Sequence, residues 1–311
     1  MAKVEETLPG WPRVSTAIDT LQENWLAYAF LTPVLLMLLV VLWFPFLRGI
    51  VMSFHEWPLG PGEAEFIGLG NYTFLFGWEP FWTSVKVTLI YSFVTFFQVV
   101  IAVAAASVVA NIKRFQSVVS GLFLAPYAMP PVTTAVLWVY LLSPADGPVF
   151  GYLQEWDVLN SAIYWSAQGD TALAVVMFVM IWTFWPFMFL IILATRESIP
   201  ESYYESAKVY GANRVQTFFR ITLPQLKSAI LVAVSIRMVW NLAKISQPFT
   251  LTRGGPGYDT SILAVLLYRL GYRSGQLGLA YTIGLVLLVI TLAFVALFIR
   301  EFEREAGRAG A

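Results

Sequence analysis

The 311-residue chain has no cysteine and a single histidine, His55. Without thiols, a disulfide framework and thiolate metal sites are excluded, and one imidazole cannot build a histidine cluster. Charge is also scarce, at 12% of residues, where a soluble domain carries roughly a quarter. The 19 basic and 19 acidic side chains cancel, so nothing points to nucleic acid or to a strongly acidic partner. The sequence holds no Gly-x-x-x-x-Gly-Lys-[Ser/Thr], no His-Glu-x-x-His and no Gly-x-Ser-x-Gly. A phosphate-cradling loop, a zinc protease helix and a nucleophile elbow are therefore missing.

What the chain has instead is apolar surface: 58% hydrophobic residues and a mean hydropathy of +0.70. It is gathered into blocks of about twenty residues, the length that crosses ~30 Å of hydrocarbon at ~1.5 Å per residue. Six spans are predicted, over 25–53, 82–111, 118–142, 171–195, 228–249 and 277–299, and none contains Asp or Glu. The predicted fold class is an all-α polytopic membrane protein. Glu5, Glu6, Asp19 and Glu23 precede the first block, which is too long for a signal-peptide core and reads as an uncleaved span. Prolines at 33, 45, 126, 130, 131 and 186 are compatible with membrane helices, where neighbours re-satisfy freed carbonyls. The small-residue run 102–107 suits either close helix–helix approach or plain lipid contact.

Lysine and arginine in the connections set the expected orientation. With the N-terminus inside, the inner segments hold Lys3 and Arg13, Lys113 and Arg114, then Arg196, Lys208, Arg214, Arg220 and Lys227, and finally Arg300, Arg304 and Arg308. The first two outer loops carry acids, among them Glu56, Glu79, Asp146 and Asp157. Only the third outer loop dissents, with Arg253, Arg269 and Arg273. The expected organisation is a cytoplasmic tail 1–24, a first span 25–53, a core 82–300 with an inner loop 196–227, and a cytoplasmic tail 301–311.

Within that inner loop, Pro200 and Glu201 mark a helix start and Gly211 a helix stop near Tyr210. A second short helix is expected from about Val215 to Ile221, ending before Pro224. Two short helices mixing Tyr204, Ala207, Phe218 and Phe219 with Glu205, Lys208 and Arg220 would make a knob that docks on another protein, or an amphipathic loop lying on headgroups. The fifth span places Arg237, Asn241, Lys244 and Gln247 at helical spacing. Cations in an apolar span face a water-filled path or a partner; outward snorkelling of Lys244 and pairing of Arg237 with another subunit are the plainer alternatives.

The pattern Glu205-x-Ala207-x-x-x-Gly211, nine residues, Ile221-x-Leu223-Pro224 resembles the "EAA" loop of permease subunits of ATP-binding-cassette importers, with Ser206 where alanine is usual. Residues 251–260, Leu-Thr-Arg-Gly-Gly-Pro-Gly-Tyr-Asp-Thr, resemble the Thr-x-Gly-Gly-Pro segment of the maltose and glycerol-phosphate type branch. The resemblance implies a type I importer fold in a prokaryotic cell membrane. It also implies pairing with a second homologous permease, two cytoplasmic ATPase subunits that grip Glu205 and the turn at Gly211, and an extracytoplasmic solute-binding protein. Solute contacts carried over by position fall on Trp240, Asn241, Lys244, Phe184 and Phe187, and Arg237, a cation in the same span, joins them as a candidate path residue. Stacking rings beside amide donors suit a sugar, whereas the two cations keep open an anionic solute such as a glycerol phosphate or uronate. The resemblance assigns no cofactor to this chain. A secondary transporter would need coupling carboxylates in its spans, and an intramembrane enzyme catalytic groups that the sequence lacks.

Overall fold

The computed structural model describes residues 24–309 apart from Leu59, Pro61, Gly62 and Lys113, with side chains as far as Arg304. Residues 1–23 of the expected N-terminal tail, with Lys3 and Arg13, lie outside the described residues, as do Lys113 and the side chain of Arg308.

The first compact unit ends at Met52 and contributes one strongly apolar helix, α1 (Trp25–Met52). A wide π turn, Leu39–Trp43, interrupts it, and Phe44 N–H donates to the Leu39 carbonyl five residues back. The next residue is Pro45, which has no N–H to offer. The wide turn lets the helix continue past the missing donor.

The second unit, from Ser53 onward, is a helical bundle. A two-residue hairpin, β1 (His55–Glu56) with β2 (Glu65–Phe66), and a short helix α2 (Gly70–Gly77) lie at one end. Asn71 fastens them by donating to the carbonyls of Ser53 and His55 at 2.9 Å. Three long helices then form the centre: α3 (Glu79–Val109), α7 (Gly169–Ser198) and α9 (Arg214–Ala243). Between α3 and α7 come α4 (Gln116–Ala128), α5 (Pro131–Leu141) and α6 (Pro148–Glu155).

The third predicted span, 118–142, is not one straight helix: α4 and α5 meet at 90°. Pro130 and Pro131 bar the helical conformation to the residues before them, and Met129 and Pro130 are accordingly extended, with ψ of 140° and 134°. Taking this pair as one span gives six.

The remaining elements are α8 (Glu201–Val209), α10 (Ser246–Thr252), α11 (Leu263–Tyr268) and α12 (Leu277–Ala309). Here two expectations are corrected. The predicted fifth span 228–249 breaks at Lys244, whose ψ of 97° is extended, and α10 begins afresh at Ser246. The predicted short helix ending before Pro224 does not exist as a separate element. Residues 214–243 form one helix, because a second π turn, Phe218–Thr222, has Leu223 N–H reach back to Phe218 immediately before Pro224. Pro45 and Pro224 are thus accommodated by the same device.

One apolar cluster joins Ala102, Ala106, Phe189, Ile192 and Leu226 across the three central helices, and Tyr204 and Phe218 pack against it. That contact ties α8 and the start of α9 to the bundle end opposite the hairpin.

Candidate functional site

At that end α8 stands clear of the bundle. Pro200 precedes it, Glu201 lies in its first turn and Lys208 in its last, the arrangement the helix dipole favours. Its stop is a Schellman motif: Gly211 N–H donates to Lys208 O, Ala212 N–H to Ala207 O, and Gly211 sits at φ 75°. The turn into α9 is closed by a capping box in which Asn213 Oδ1 accepts from Gln216 N–H and Gln216 Oε1 from Asn213 N–H. Ala207 is buried, anchoring α8, while Glu205 and Gly211 are exposed. Ile221 and Leu223 are half-buried at the end of the wide turn, and Pro224 is exposed. The Arg196 guanidinium lies 4.1 Å over the Tyr204 ring, and the Tyr204 and Thr222 hydroxyls share a 3.2 Å hydrogen bond. The knob presents a mixed surface: Val209 is 85% and Tyr210 89% exposed, and Val215, Phe219, Glu205, Lys208, Arg214 and Arg220 are exposed as well.

The fifth-span residues lie toward the far end of α9. Arg237 is only 1% exposed. Its Nη2 donates to Asn241 Oδ1 at 2.6 Å and its Nε to Gln98 Oε1 at 3.5 Å. Asn241 Nδ2 in turn donates to Thr95 Oγ1 at 3.0 Å, and Gln98 Nε2 to the Met180 carbonyl at 2.8 Å. Among the described residues Arg237 forms no ion pair. Its charge is met by amide oxygens and by the Phe184 face, 4.3 Å away. The Lys244 ammonium lies 4.8 Å from the same ring. Trp240, 45% exposed, packs with Phe187 at 4.9 Å. It also lines an open groove of about 550 Å³ between α9 and α12, with Val232, Ser235, Phe298 and Ile299.

The structure therefore divides the six expected path residues. Trp240, Phe187 and Lys244 keep accessible surface, whereas Arg237, Asn241 and Phe184 are buried among α3, α7 and α9. Their partners on α3 were missed by sequence reasoning. Ser84, Thr88, Ser92, Thr95 and Gln98 recur every three or four residues, and all are buried. A polar group at each turn of an otherwise apolar span was the available signal. Among the described residues, buried polar atoms of Ser84, Trp138, Gln247 and Ser261 have no hydrogen-bond partner; Gln247, in α10 just beyond the break, meets Thr183 through its other amide atom at 3.1 Å.

The described residues thus form a bundle of membrane-length helices with a protruding knob, made by α8 and the first turns of α9, and a break in one span at Lys244. Residues 98–302 match the family described as binding-protein-dependent transport system inner membrane component, and the chain belongs to that family. It is 32% identical over 311 residues to the sulfoquinovosyl glycerol transport system permease protein SmoG of Agrobacterium fabrum, covering 96% of each chain. It is 28% identical to the trehalose/maltose transport system permease protein MalF of Thermococcus litoralis, covering 91% of this chain and 96% of that one. Among solved structures it is similar to a chain of a bacterial alginate ABC transporter in complex with an alginate pentasaccharide-bound periplasmic protein. That match has a TM-score of 0.79 at 26% identity and covers 90% and 94% of the two chains. The fold is that of an ABC importer permease.

Proposed function

We propose that the chain is one of two related permease subunits in an ATP-driven importer of a sugar or oligosaccharide. An extracytoplasmic binding protein delivers the solute, and separate cytoplasmic subunits hydrolyse ATP. Both termini and the knob lie on the cytoplasmic side of a prokaryotic cell membrane. The observation that carries this reading is the continuity of α9. Its 30 residues make a rod of ~45 Å at ~1.5 Å per residue. The knob forms one end of the rod and the Arg237–Lys244 belt the other.

In this reading Glu205 and the exposed turn at Gly211 dock on an ATPase subunit, Ala207 seats α8, and Ile221, Leu223 and Pro224 join the knob to the rod. A displacement of the knob is then felt at Trp240 without passing through a flexible link. Trp240 and Phe187 stack on the solute, Lys244 borders it, and a second permease covers the α9–α12 groove. Arg237, Asn241 and Phe184 stand behind, holding that part of α9 against α3 and α7. Arg237 is buried and engaged by two amide oxygens, so of the two cations only Lys244 has surface to meet a solute. The relatives named for sulfoquinovosyl glycerol, trehalose/maltose and alginate support a carbohydrate class. The test is uptake by liposomes holding the assembled transporter. Glu205→Lys should abolish binding-protein-dependent uptake while the subunit remains inserted and assembled; unchanged uptake would remove the docking role.

A further inference from the structure

Beside the break between α9 and α10 lie polar atoms that the chain itself leaves unused. Pro248 has no N–H to return to the Lys244 carbonyl four residues back. Gln247, three residues past Lys244, is fully buried. Its Nε2 donates to Thr183 Oγ1 at 3.1 Å, and Thr183 Oγ1 donates to the Val179 carbonyl at 2.7 Å. A hydroxyl has one hydrogen, so with that hydrogen on Val179 the Thr183 oxygen accepts from Gln247. The orientation of the amide is thereby fixed, and Gln247 Oε1 is an acceptor with no donor among the described residues.

A donor is left over in the same neighbourhood. Trp138 of α5 packs on Phe178 and Trp182 of α7, with ring centroids 4.8 and 5.4 Å apart. Its Nε1 is buried and has no acceptor among the described residues. Trp138, Ile245 and Phe249 pack against the apolar cluster that contains Phe184, the ring 4.8 Å from the Lys244 ammonium. Because α10 packs mainly on α5, the spare acceptor and the spare donor belong to two helices that meet beside the break. A buried polar atom without a partner costs the fold free energy. Proteins keep such local costs where function uses them.

We propose that Gln247 and Trp138 form a polar subsite for the hydroxyls of the solute, in addition to the stacking surface of Trp240 and Phe187. One sugar hydroxyl donates to Gln247 Oε1, and another accepts from Trp138 Nε1. The inference rests on the function proposed above and makes the solute class narrower. A hydroxyl both donates and accepts, so it matches either spare atom. A fully ionised anion has no hydrogen for Gln247, and an apolar solute matches neither atom. Both atoms are enclosed, so the hydroxyls reach them as α10 shifts on α5, a movement that the break at Lys244 permits without bending α9. A site built to hydrogen-bond a hydroxyl rejects an analogue lacking it far more strongly than an apolar pocket does. The pair is therefore a determinant of specificity.

The experiment reads sugar taken up and ATP hydrolysed by the reconstituted transporter with its binding protein. The probes are labelled glucose, trehalose, maltose and galacturonate, together with monodeoxy analogues of whichever probe the wild type transports. Gln247→Met keeps the length of the side chain and removes the acceptor; Trp138→Phe keeps a ring and removes the donor. Uptake of the parent sugar per ATP hydrolysed is expected to fall about tenfold in each variant. For one analogue the wild type should show the same loss, while Gln247→Met takes up that analogue and the parent sugar equally. A purely structural role would not move this last comparison, and the binding protein's own preferences cancel because every variant uses the same one. Unchanged uptake in both variants overturns the subsite and leaves the importer reading intact. ATP hydrolysis that falls in step with uptake assigns the two atoms to the movement of α10, and a variant that distinguishes every analogue as the wild type does assigns them to packing; either result overturns the subsite. A wild-type transporter that takes up none of the probes overturns the carbohydrate reading and this inference together.

Discussion

A guanidinium that is 1% exposed and meets amide oxygens and the rings of Phe184 and Trp240 is a demanding thing to place in a span. Its removal leaves Gln98 Oε1 and Asn241 Oδ1 facing apolar neighbours, and a stranded buried acceptor costs about 1–3 kcal/mol. Arg237→Met should therefore lower the thermal unfolding midpoint of the purified complex, whereas Lys244→Gln, at a half-buried position, should leave it near wild type. Equal midpoints for the two variants would contradict the burial argument. Uptake kinetics separate the solute classes. For a neutral sugar, Trp240→Ala removes a stacking surface and should raise the half-saturating solute concentration more than Lys244→Gln does. For an anion, losing the Lys244 charge would cost ~2 kcal/mol, about thirtyfold in affinity, and the order would reverse. The spacing of Arg237, Asn241 and Lys244 is legible in the amino-acid sequence, and so is the oddity of cations in a span. Which of them keeps accessible surface is not, because that depends on whether Thr95 and Gln98 of a distant helix reach them.

At the scale of elements, the first helix of the knob, α8, was legible almost residue by residue. A proline–acid start and a glycine stop are local events, decided within one turn by the few orphan groups at a helix end. Gly211 at φ 75° yields a prediction: Gly211→Ala puts a Cβ into a left-handed site at roughly 1–2 kcal/mol. Gly211→Pro also removes the N–H that now bonds Lys208. Uptake coupled to ATP hydrolysis should fall in both and fail in the second, with insertion unaffected in a membrane-fraction assay. The continuity of α9 was misread because Pro224 is a breaker by rule. A π turn placed directly before it removes the need for the missing donor, and nothing in composition announces such a turn. The reverse error occurred at Lys244, where Pro248, four residues on, has no N–H to give the Lys244 carbonyl, a signal that the predicted span passed over. There the chain leaves the helix: α9 packs on α3, α7 and α12, whereas α10 packs mainly on α5 and also on α7.

For the whole molecule, the arrangement of ends can be tested in the natural cysteine-free background. Ser117, in the first turn of α4, and Gly151, in α6, are both exposed. Single cysteines at these positions should react with a membrane-impermeant reagent from opposite sides, Gly151 from outside intact cells and Ser117 only after the membrane is opened. Labelling of both from outside would overturn the orientation. The opposed placement follows from contacts within the bundle. Gln116 donates to Glu197 beside the knob, whereas Trp165 donates to the Leu142 carbonyl across the connection that contains α6.

Taken by itself, the sequence determined the number of spans, the site of the knob and the family, since each is written in runs of neighbouring residues. Hydrocarbon thickness sets span length, helix ends set the caps, and a motif of fixed spacing marks the family. Only the tertiary structure decided that the third span bends through 90°, that α9 is unbroken from knob to belt, and that Arg237 is enclosed while Lys244 is not. Those outcomes turn on which helix faces meet. A buried hydrogen bond such as Arg237 to Gln98 joins residues 139 positions apart, and no local pattern encodes a separation of that size.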